Sequence, residues 1–565
     1  MVDSSSAERD LSEWRHFLGR LGEDARATSV YKMKLSGPAP HKLSLYPQSL
    51  RYGDPAIGED ILAGVWHIGQ SELKLAPDAS PWSVPNPSRH FADRLHRFEW
   101  MRHLMAVGPK GHRRARELLT DWVAHFGKWN GFVWRLPVTT ERVWNWLVAG
   151  PILLENHGAD SEVMNSLMRQ MRHLQHSTGE YPEPIAVLKS LFTQLAMAFA
   201  ADEGERRIAS LEAQLEFTLN DQILADGGHI SRNPEMVLNV LLDLQTIDDL
   251  YLRTGRPTLS FVAKMMPRIA GMLKFLRLSD GGLPIMNGSS EGNREDIKNA
   301  LYPYSDTRAF SFATKTGIHK LEAEGTRMTL DAGHAPPGEF GTGAHAGCLA
   351  LELEDQGERI ITNCGSHVDV PPVWSGATRR TSGHSTLAVT GFDASQFVPV
   401  RSMGLQAPVG PTGVSAKRME EKDTIWIDSQ HSGWKDTHGL VYRRRLYMDG
   451  DGRRLTGEDT LFRPLSAGLT EDTEAIPYDI RFHMHPSVTL RPEEPDGHHI
   501  RIILPSGAAW VFKTKHERKS IERTVYLARG KVEKSWQLVL SGDADPNGDA
   551  SNPANIVQWA FVKVV

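Results

Sequence analysis

At 565 residues the chain is too long for one ordinary domain and is expected to fold as two or more. Hydrophobic residues at 40% and charged residues at 24% exclude extensive disorder, and a net charge of −5 gives no overall attraction to nucleic acid. Two cysteines exclude a disulfide framework and a cysteine-rich zinc module, and no stretch approaches the roughly 18 apolar residues that span a membrane.

The chain begins MVDSSSAERDLSEWRHFLGRLG, a short amphipathic pattern with acids. It lacks a basic region followed by an apolar one, so it does not read as a secretory signal, and the chain as written is expected to stay in the cytoplasm. Residues 1–87 read as a segment of one helix plus irregular, Pro-rich chain wrapping the start of a helical ring. From 88 to 307 apolar residues recur at helical spacing, as in RARELLTDWVAHFG, SEVMNSLMRQMRHLQHS and PIAVLKSLFTQLAMAFA. Short Gly, Pro, Asn and Asp connections between them predict successive antiparallel helices in a bundle or ring. Trp100, Trp122, Trp144 and Trp146 sit at helical spacing and read mostly as core, with one or two able to line a groove. From 308 to 565 the period becomes two, in segments such as TRMTLDAG, LVYRRRLYMDG and SWQLVLSG separated by DQG, DGDG and PSG. This half is expected to be an antiparallel β-sandwich, making the whole an α+β multidomain protein.

Four stretches carry candidate chemistry. GTGAHAGCLALELEDQGERIITNCGSHVD reads as a hairpin about Asp355-Gln356-Gly357. Pairing Glu354 with Glu358 puts Cys348 opposite Cys364 and His345 opposite His367. His345, Asn363 and His367 then extend the apolar face of Leu349, Leu351, Leu353 and Ile361. Such a set suits a metal or an anion, or satisfies loop backbone groups. The cysteines read as two small core residues, not a redox pair. In ADGGHISRNPEMV, Asn233 has the position of an N-cap with Pro234 and Glu235 behind it. His229, Ser231, Arg232 and Asn233 together would suit a carboxylate at a helix start. In WSGATRRTSGHSTLAVTG, Arg379 and Arg380 form a clamp for carboxylates or exposed loop charges. His384 completes a site with His345, or is a buried histidine bonded to backbone. LSDGGLPIMNGSSEGNREDIKNALYPYSDT offers Asn287, Glu291, Tyr302 and Tyr304, the tyrosines suited to stacking, proton transfer or packing at a domain junction. His483 and His485 in FHMHP read as a structural pair, and Arg443, Arg444 and Arg445 as an edge-protecting or salt-bridged strand.

With those motifs in view, the chain resembles the heparinase II/III-like family of polysaccharide lyases over most of its length. The resemblance is carried by GDPAIGEDILAGVWHI, DGGHISRNPEMVLNVLLDL, GGLPIMNGSSEG, GAHAGCLALELEDQGERIITNCG, RRTSGHSTLAVTG and GLVYRRRLYMDGDGRRLTGED. It implies an N-terminal α/α toroid followed by a C-terminal antiparallel β-sandwich, and cleavage of a uronate-containing polysaccharide by β-elimination. The expected partner is an acidic polysaccharide or oligosaccharide, with no nucleic acid, and the oligomeric state stays open. The implied catalytic set is His345 as leading acid–base group, Asn233 or His229 neutralising the carboxylate, and Tyr302 or Tyr304 as the nearest tyrosines. Arg232, Arg379, Arg380, Asn287 and Glu291 are the implied substrate contacts.

No cofactor is required by this chemistry, although some members hold zinc in the β-domain. Where the family has His-Ala-His-Ala-Asp, this chain has Gly343-Ala344-His345-Ala346-Gly347. Asn363 stands where many members have aspartate, so a zinc site of His345, Asn363 and His384 would be a weak ligand set. These departures leave an alternative: a non-catalytic carbohydrate-binding or cell-envelope polysaccharide assembly protein on the same fold. Against the cytoplasmic reading of the N-terminus, the resemblance implies periplasmic or envelope association.

Overall fold

The computed structural model describes residues 29–155, 157–310, 312–400, 404–421, 423–471, 474–492 and 499–564. The amphipathic pattern at the N-terminus lies outside them. Helices occupy the chain from Ser29–Leu35 to Arg294–Leu301, interrupted by the small hairpin Val65–Ile68 with Ser71–Lys74, and the long sheets begin at Ile318. No helix among the described residues is long and apolar enough to cross a membrane.

The described residues form two compact units: 29–220 with 242–263 and Gly404, and 221–241 with 264–400 and 405–564. The division expected at 307/308 therefore marks the change of secondary structure but not the change of unit. The physical reason is hydrogen bonding: Arg232, Ile285 and Asn287, from the helical half of the sequence, bond to acids of the strands that follow.

In the first unit, helix Pro109–Phe126 starts at Gly108, in a positive-φ conformation (87°), with Pro109 at its first position. Its buried residues Ala115, Leu118, Leu119, Trp122 and Val123 recur at the three-to-four spacing of one helical face. Trp122, Trp144 and Trp146 are fully buried and Trp100 nearly so, which makes all four core side chains. The Trp122 and Trp146 rings meet edge to face at 5.3 Å, and the buried Arg142 guanidinium lies 4.3 Å from the Trp122 ring centroid.

The second unit is built on two eight-stranded antiparallel sheets. One runs Ser415–Glu421, Thr424–Trp434, Leu440–Asp449, Arg454–Phe462, Ile556–Val564, Ala509–Thr514, His499–Ile503, Thr489–Pro492. The other runs Lys519–Tyr526, Glu533–Ala544, Ile476–Met484, Glu358–Thr362, Leu351–Asp355, Thr326–Asp331, Ile318–Ala323, with Leu387–Val389 paired beside Ile476–Met484. Alternate residues of both sheets enter one apolar core. Phe482 of the second sheet meets Phe512, Trp559 and Phe561 of the first, at ring distances of 5.6, 4.7 and 5.4 Å.

Two expectations are corrected. The arginine run lies in Leu440–Asp449, which has a strand on each side, so of the two readings the edge is excluded and the salt-bridged strand holds. Arg443 and Arg445 pair with Asp428 and Glu458. Arg444 takes a core position and holds Asp459 through two hydrogen bonds of 2.7 and 3.0 Å. The 351–362 hairpin pairs Asp355 with Glu358 and Leu353 with Ile361, and an irregularity lies between Leu353 and Glu354. Its turn is Gln356-Gly357, both at positive φ (51° and 83°), one residue tighter than expected. Cys348 and Cys364 fall outside the strands as separate buried thiols: one faces Gly333 O, the other faces His483 and Thr524. The shared face expected for His345, Asn363 and His367 goes with that register.

Candidate functional site

His345 lies in the loop that leads into strand Leu351–Asp355, and His384 closes a one-turn helix, Thr381–Gly383. Their rings meet, with His345 Nδ1 3.1 Å from His384 Nε2. His384 Nδ1 is 2.8 Å from the Arg380 carbonyl, which only accepts, so Nδ1 carries the proton and Nε2 the lone pair. His345 must then donate from its own Nδ1, which leaves its Nε2 as the acceptor. Burial first, then the neighbouring His384 and Arg379, hold the His345 pKa well below its usual range, so the ring is neutral at physiological pH. Gly347 leaves room for the His384 ring: a Cβ there would stand 2.5 Å from its Cδ2. At Gly343 the same addition meets nothing within 4 Å.

Arg379 props this loop. It donates to Ala344 O at 2.8 Å and Gln406 O at 2.9 Å, and its guanidinium lies 4.9 Å from the Phe397 ring centroid. Arg380 is exposed and paired with Asp393 at 2.6 Å. The two arginines are thus held by protein groups.

Asn233 is an N-cap, its Oδ1 accepting from Glu235 N at 2.8 Å, which leaves Nδ2 for other work. A Cβ at Gly288 would stand 3.6 Å from that Nδ2 and 2.5 Å from Gly343 O. The Asn233 amide and the loop carrying His345 therefore adjoin the same glycine turn. His229 is fully buried, with Nδ1 accepting from Ser231 N at 3.1 Å and Nε2 facing Gln222 Oε1 at 3.0 Å. Burial pushes its pKa down to about 4. Both ring nitrogens are occupied, so it shapes the turn instead of meeting substrate.

Arg232 also departs from its expected role. It sits at positive φ (57°), is buried, and pairs with Asp331 while donating to Thr316 O at 2.7 Å and His334 O at 3.1 Å. Asp331 accepts a second bond from Asn287 Nδ2 at 3.0 Å. Asp331 is thus the organiser of two residues expected to bind substrate. Its only trace in the sequence is an acid closing the strand-like TRMTLDAG. Glu291 is likewise committed, accepting from Tyr526 OH at 2.7 Å and Arg529 Nε at 2.8 Å. Tyr302 is 84% exposed on the short turn Tyr302–Tyr304, and Tyr304 is half-buried there.

The set expected for zinc does not fit that ion. Asn363 Nδ2 donates to Ile285 O and Glu352 Oε1, both at 3.0 Å, and its Oδ1 accepts from Ser385 N at 2.9 Å, so the amide is held by protein groups on both its atoms. His345 and His384 spend facing nitrogens on each other. Among the described residues no group of three or more His, Cys, Asp or Glu is placed to hold a metal ion. His367 caps Asp369 N at 3.0 Å, and His483 and His485 serve Ser382 O and Arg529. Glu352, missed in the sequence, is buried beside Asn363 and also accepts from Ile285 N at 2.6 Å. Burial pushes its pKa up to about 7 against the pull of Arg359 and these donors.

A family model described as Heparinase II/III-like, C-terminal, matches residues 305–560. FtsZ-localized protein C of Caulobacter vibrioides is 31% identical over 559 residues, covering 96% of this chain and 94% of that protein. Among solved structures, heparinase III aligns with a TM-score of 0.66 at 12% identity, over 98% of this chain and 91% of that one. Heparan sulfate lyase HepC from Pedobacter heparinus aligns with a TM-score of 0.52 at 14% identity, over 90% and 82%. Likeness at that level of identity speaks for the fold.

Proposed function

This chain belongs to the heparinase II/III-like family, and from that premise we propose that it binds a uronate-containing polysaccharide and cleaves it by β-elimination. The observation that carries the reading is the Arg380–His384–His345 hydrogen-bond chain, which leaves His345 Nε2 as a lone pair in a loop adjoining the Asn233 amide. In this reading the helical unit is an α/α toroid. Asn233 Nδ2 donates to the uronate carboxylate and withdraws charge from it. The C5–H bond then breaks with its proton passing to His345 Nε2, the C4–C5 double bond forms, and the C4–O4 bond breaks as His345 Nε2 passes that proton on to O4. A buried, weakly basic imidazole needs that acidified C5–H, so carboxylate neutralisation must come first. The name of the Caulobacter relative supports co-localisation with FtsZ for this chain as well.

The test is ultraviolet absorbance of the unsaturated uronate when the purified protein meets a panel of uronate polysaccharides. Product from the native chain and none from His345→Ala is the expected result; no product from the native chain on any member overturns the reading.

One observation favours a second reading, glycan binding without turnover. Gly343 stands where the family pattern has its first histidine, and Tyr302 is exposed on a surface turn. Retention of a uronate oligosaccharide on the native protein with no ultraviolet product would select it.

A further inference from the structure

We propose that a cavity at the open corner of the two large sheets is a binding site for a small organic anion, a carboxylate or phosphate monoester on an apolar body. Strands Ile318–Ala323 and Ser415–Glu421 are each the edge of their sheet. Between them the core is not sealed: Val414 and Ala416 are only partly buried against it. The resulting cavity measures about 430 Å³. That is many times the volume of one water and within the size range of small-molecule sites.

The lining divides by chemistry. Leu224, Ile230, Ala332, Pro336, Val414 and Ala416 supply an apolar surface. Lys315, His319 and His334 supply polar groups, and no carboxylate is among the lining residues. His319 is only 9% exposed, and its Nδ1 is sealed from solvent without a hydrogen-bond partner. That nitrogen lies out of an occupant's reach, so His319 gives the cavity a wall of ring face and no hydrogen bond from Nδ1. The Lys315 and His334 side chains are exposed, and neither has an ion-pair partner among the described residues.

The rim is built firmly. Asp226 Oδ2 accepts from Lys315 N at 2.9 Å and from Thr316 N at 2.7 Å. Arg232 bridges the two rim segments through Thr316 O and His334 O. Its charge is spent on Asp331, so it fixes the walls while Lys315 and His334 remain to meet a charge. An apolar floor with Lys315 at its rim suits an anionic head on an apolar body better than a sugar ring, whose hydroxyls would find few partners.

The experiment is calorimetric titration of the full-length protein with phenylacetate, phenyl phosphate and the neutral phenylacetamide. At least one anion should bind about tenfold more tightly than the amide, and the comparison of the two anions decides between carboxylate and phosphate. Lys315→Ala, an exposed change, should weaken the preferred anion about tenfold with an unchanged thermal midpoint. His334→Ala, a second exposed rim change, should weaken it too. Equal binding of anion and amide, no binding of either anion at millimolar concentration, or an unchanged affinity in both rim variants would overturn the proposal.

Discussion

His345 Nδ1 lies 3.1 Å from His384 Nε2, and that contact decides which His345 nitrogen accepts a proton. The direction comes from outside the pair, because the Arg380 carbonyl can only accept from His384 Nδ1. Two imidazoles and one carbonyl form a polarised chain ending at His345 Nε2. Nitrogen-resolved NMR at neutral pH should show both rings neutral and protonated on Nδ1. A His345 ring protonated on Nε2 would remove it as a proton acceptor.

Asn233 can be dissected because its two side-chain atoms do different things. Oδ1 caps the helix at Glu235 N, and Nδ2 is the proposed carboxylate donor. Asn233→Asp retains the cap and replaces the donor with an acceptor. Asn233→Ala loses both, at a cost of about 1 kcal/mol of stability. Both variants should lose uronate binding or elimination, while only the alanine should unfold at lower denaturant. Full activity in the aspartate variant would refute the role of Nδ2.

Gly343 has open space around its Cα, whereas Gly347 is pressed by the His384 ring. A histidine should therefore be tolerated at the first position and an aspartate rejected at the second. Gly343→His should fold with an unchanged thermal midpoint and raise eliminase activity if proton transfer limits it. Gly347→Asp should be destabilised by at least about 1–3 kcal/mol through overpacking. Equal thermal midpoints for the two variants would contradict this steric reading.

Much of the fold is legible from hydrophobic period alone, since the switch from helical to alternating spacing falls where helices give way to sheets. The hairpin register was not, because one irregularity and a turn tighter by one residue shift the pairing while leaving the apolar alternation plausible. Asp331 was hidden for another reason. Its partners Arg232 and Asn287 lie 99 and 44 residues away, and an acid ending a strand is usually a solvated one. Arg444 was within reach: it takes the fully buried position between Tyr442 and Leu446 on one strand face. Alternation there ranked above charge.

Arg444 holds together more than its strand. Besides Asp459 it donates to Leu349 O and Ser385 O, both at 2.8 Å, on either side of the His345–His384 region. Asp459 also accepts from Tyr442 OH at 2.6 Å and Trp559 Nε1 at 2.8 Å. Removing the cation leaves a buried carboxylate and two unsatisfied carbonyls. Arg444→Met should cost about 3–5 kcal/mol in denaturant unfolding, and Arg444→Lys should not restore it, because an ammonium lacks the fork that spans Asp459. A loss within about 1 kcal/mol for methionine would show the pair to be dispensable.

Glu352 gives the molecule a pH dependence of known sign. Burial raises its folded pKa from the usual 4.5 to about 7. Between those values the folded chain retains a proton that the unfolded chain releases, so stability falls as pH rises through this window. Below it both states are protonated; above it both are ionised and the penalty, on the order of 3 kcal/mol, is constant. Glu352→Gln retains an oxygen for Ile285 N and Asn363 Nδ2 but never ionises. Buried histidines such as His229, with lowered pKa values, pull the other way by weakening the fold toward acid. They do so equally in both proteins, so the difference between native and variant isolates Glu352. Urea midpoints should therefore be close at pH 5 and favour Glu352→Gln at pH 8. An equal difference at both pH values would mean that Glu352 titrates in the ordinary carboxylate range despite its burial.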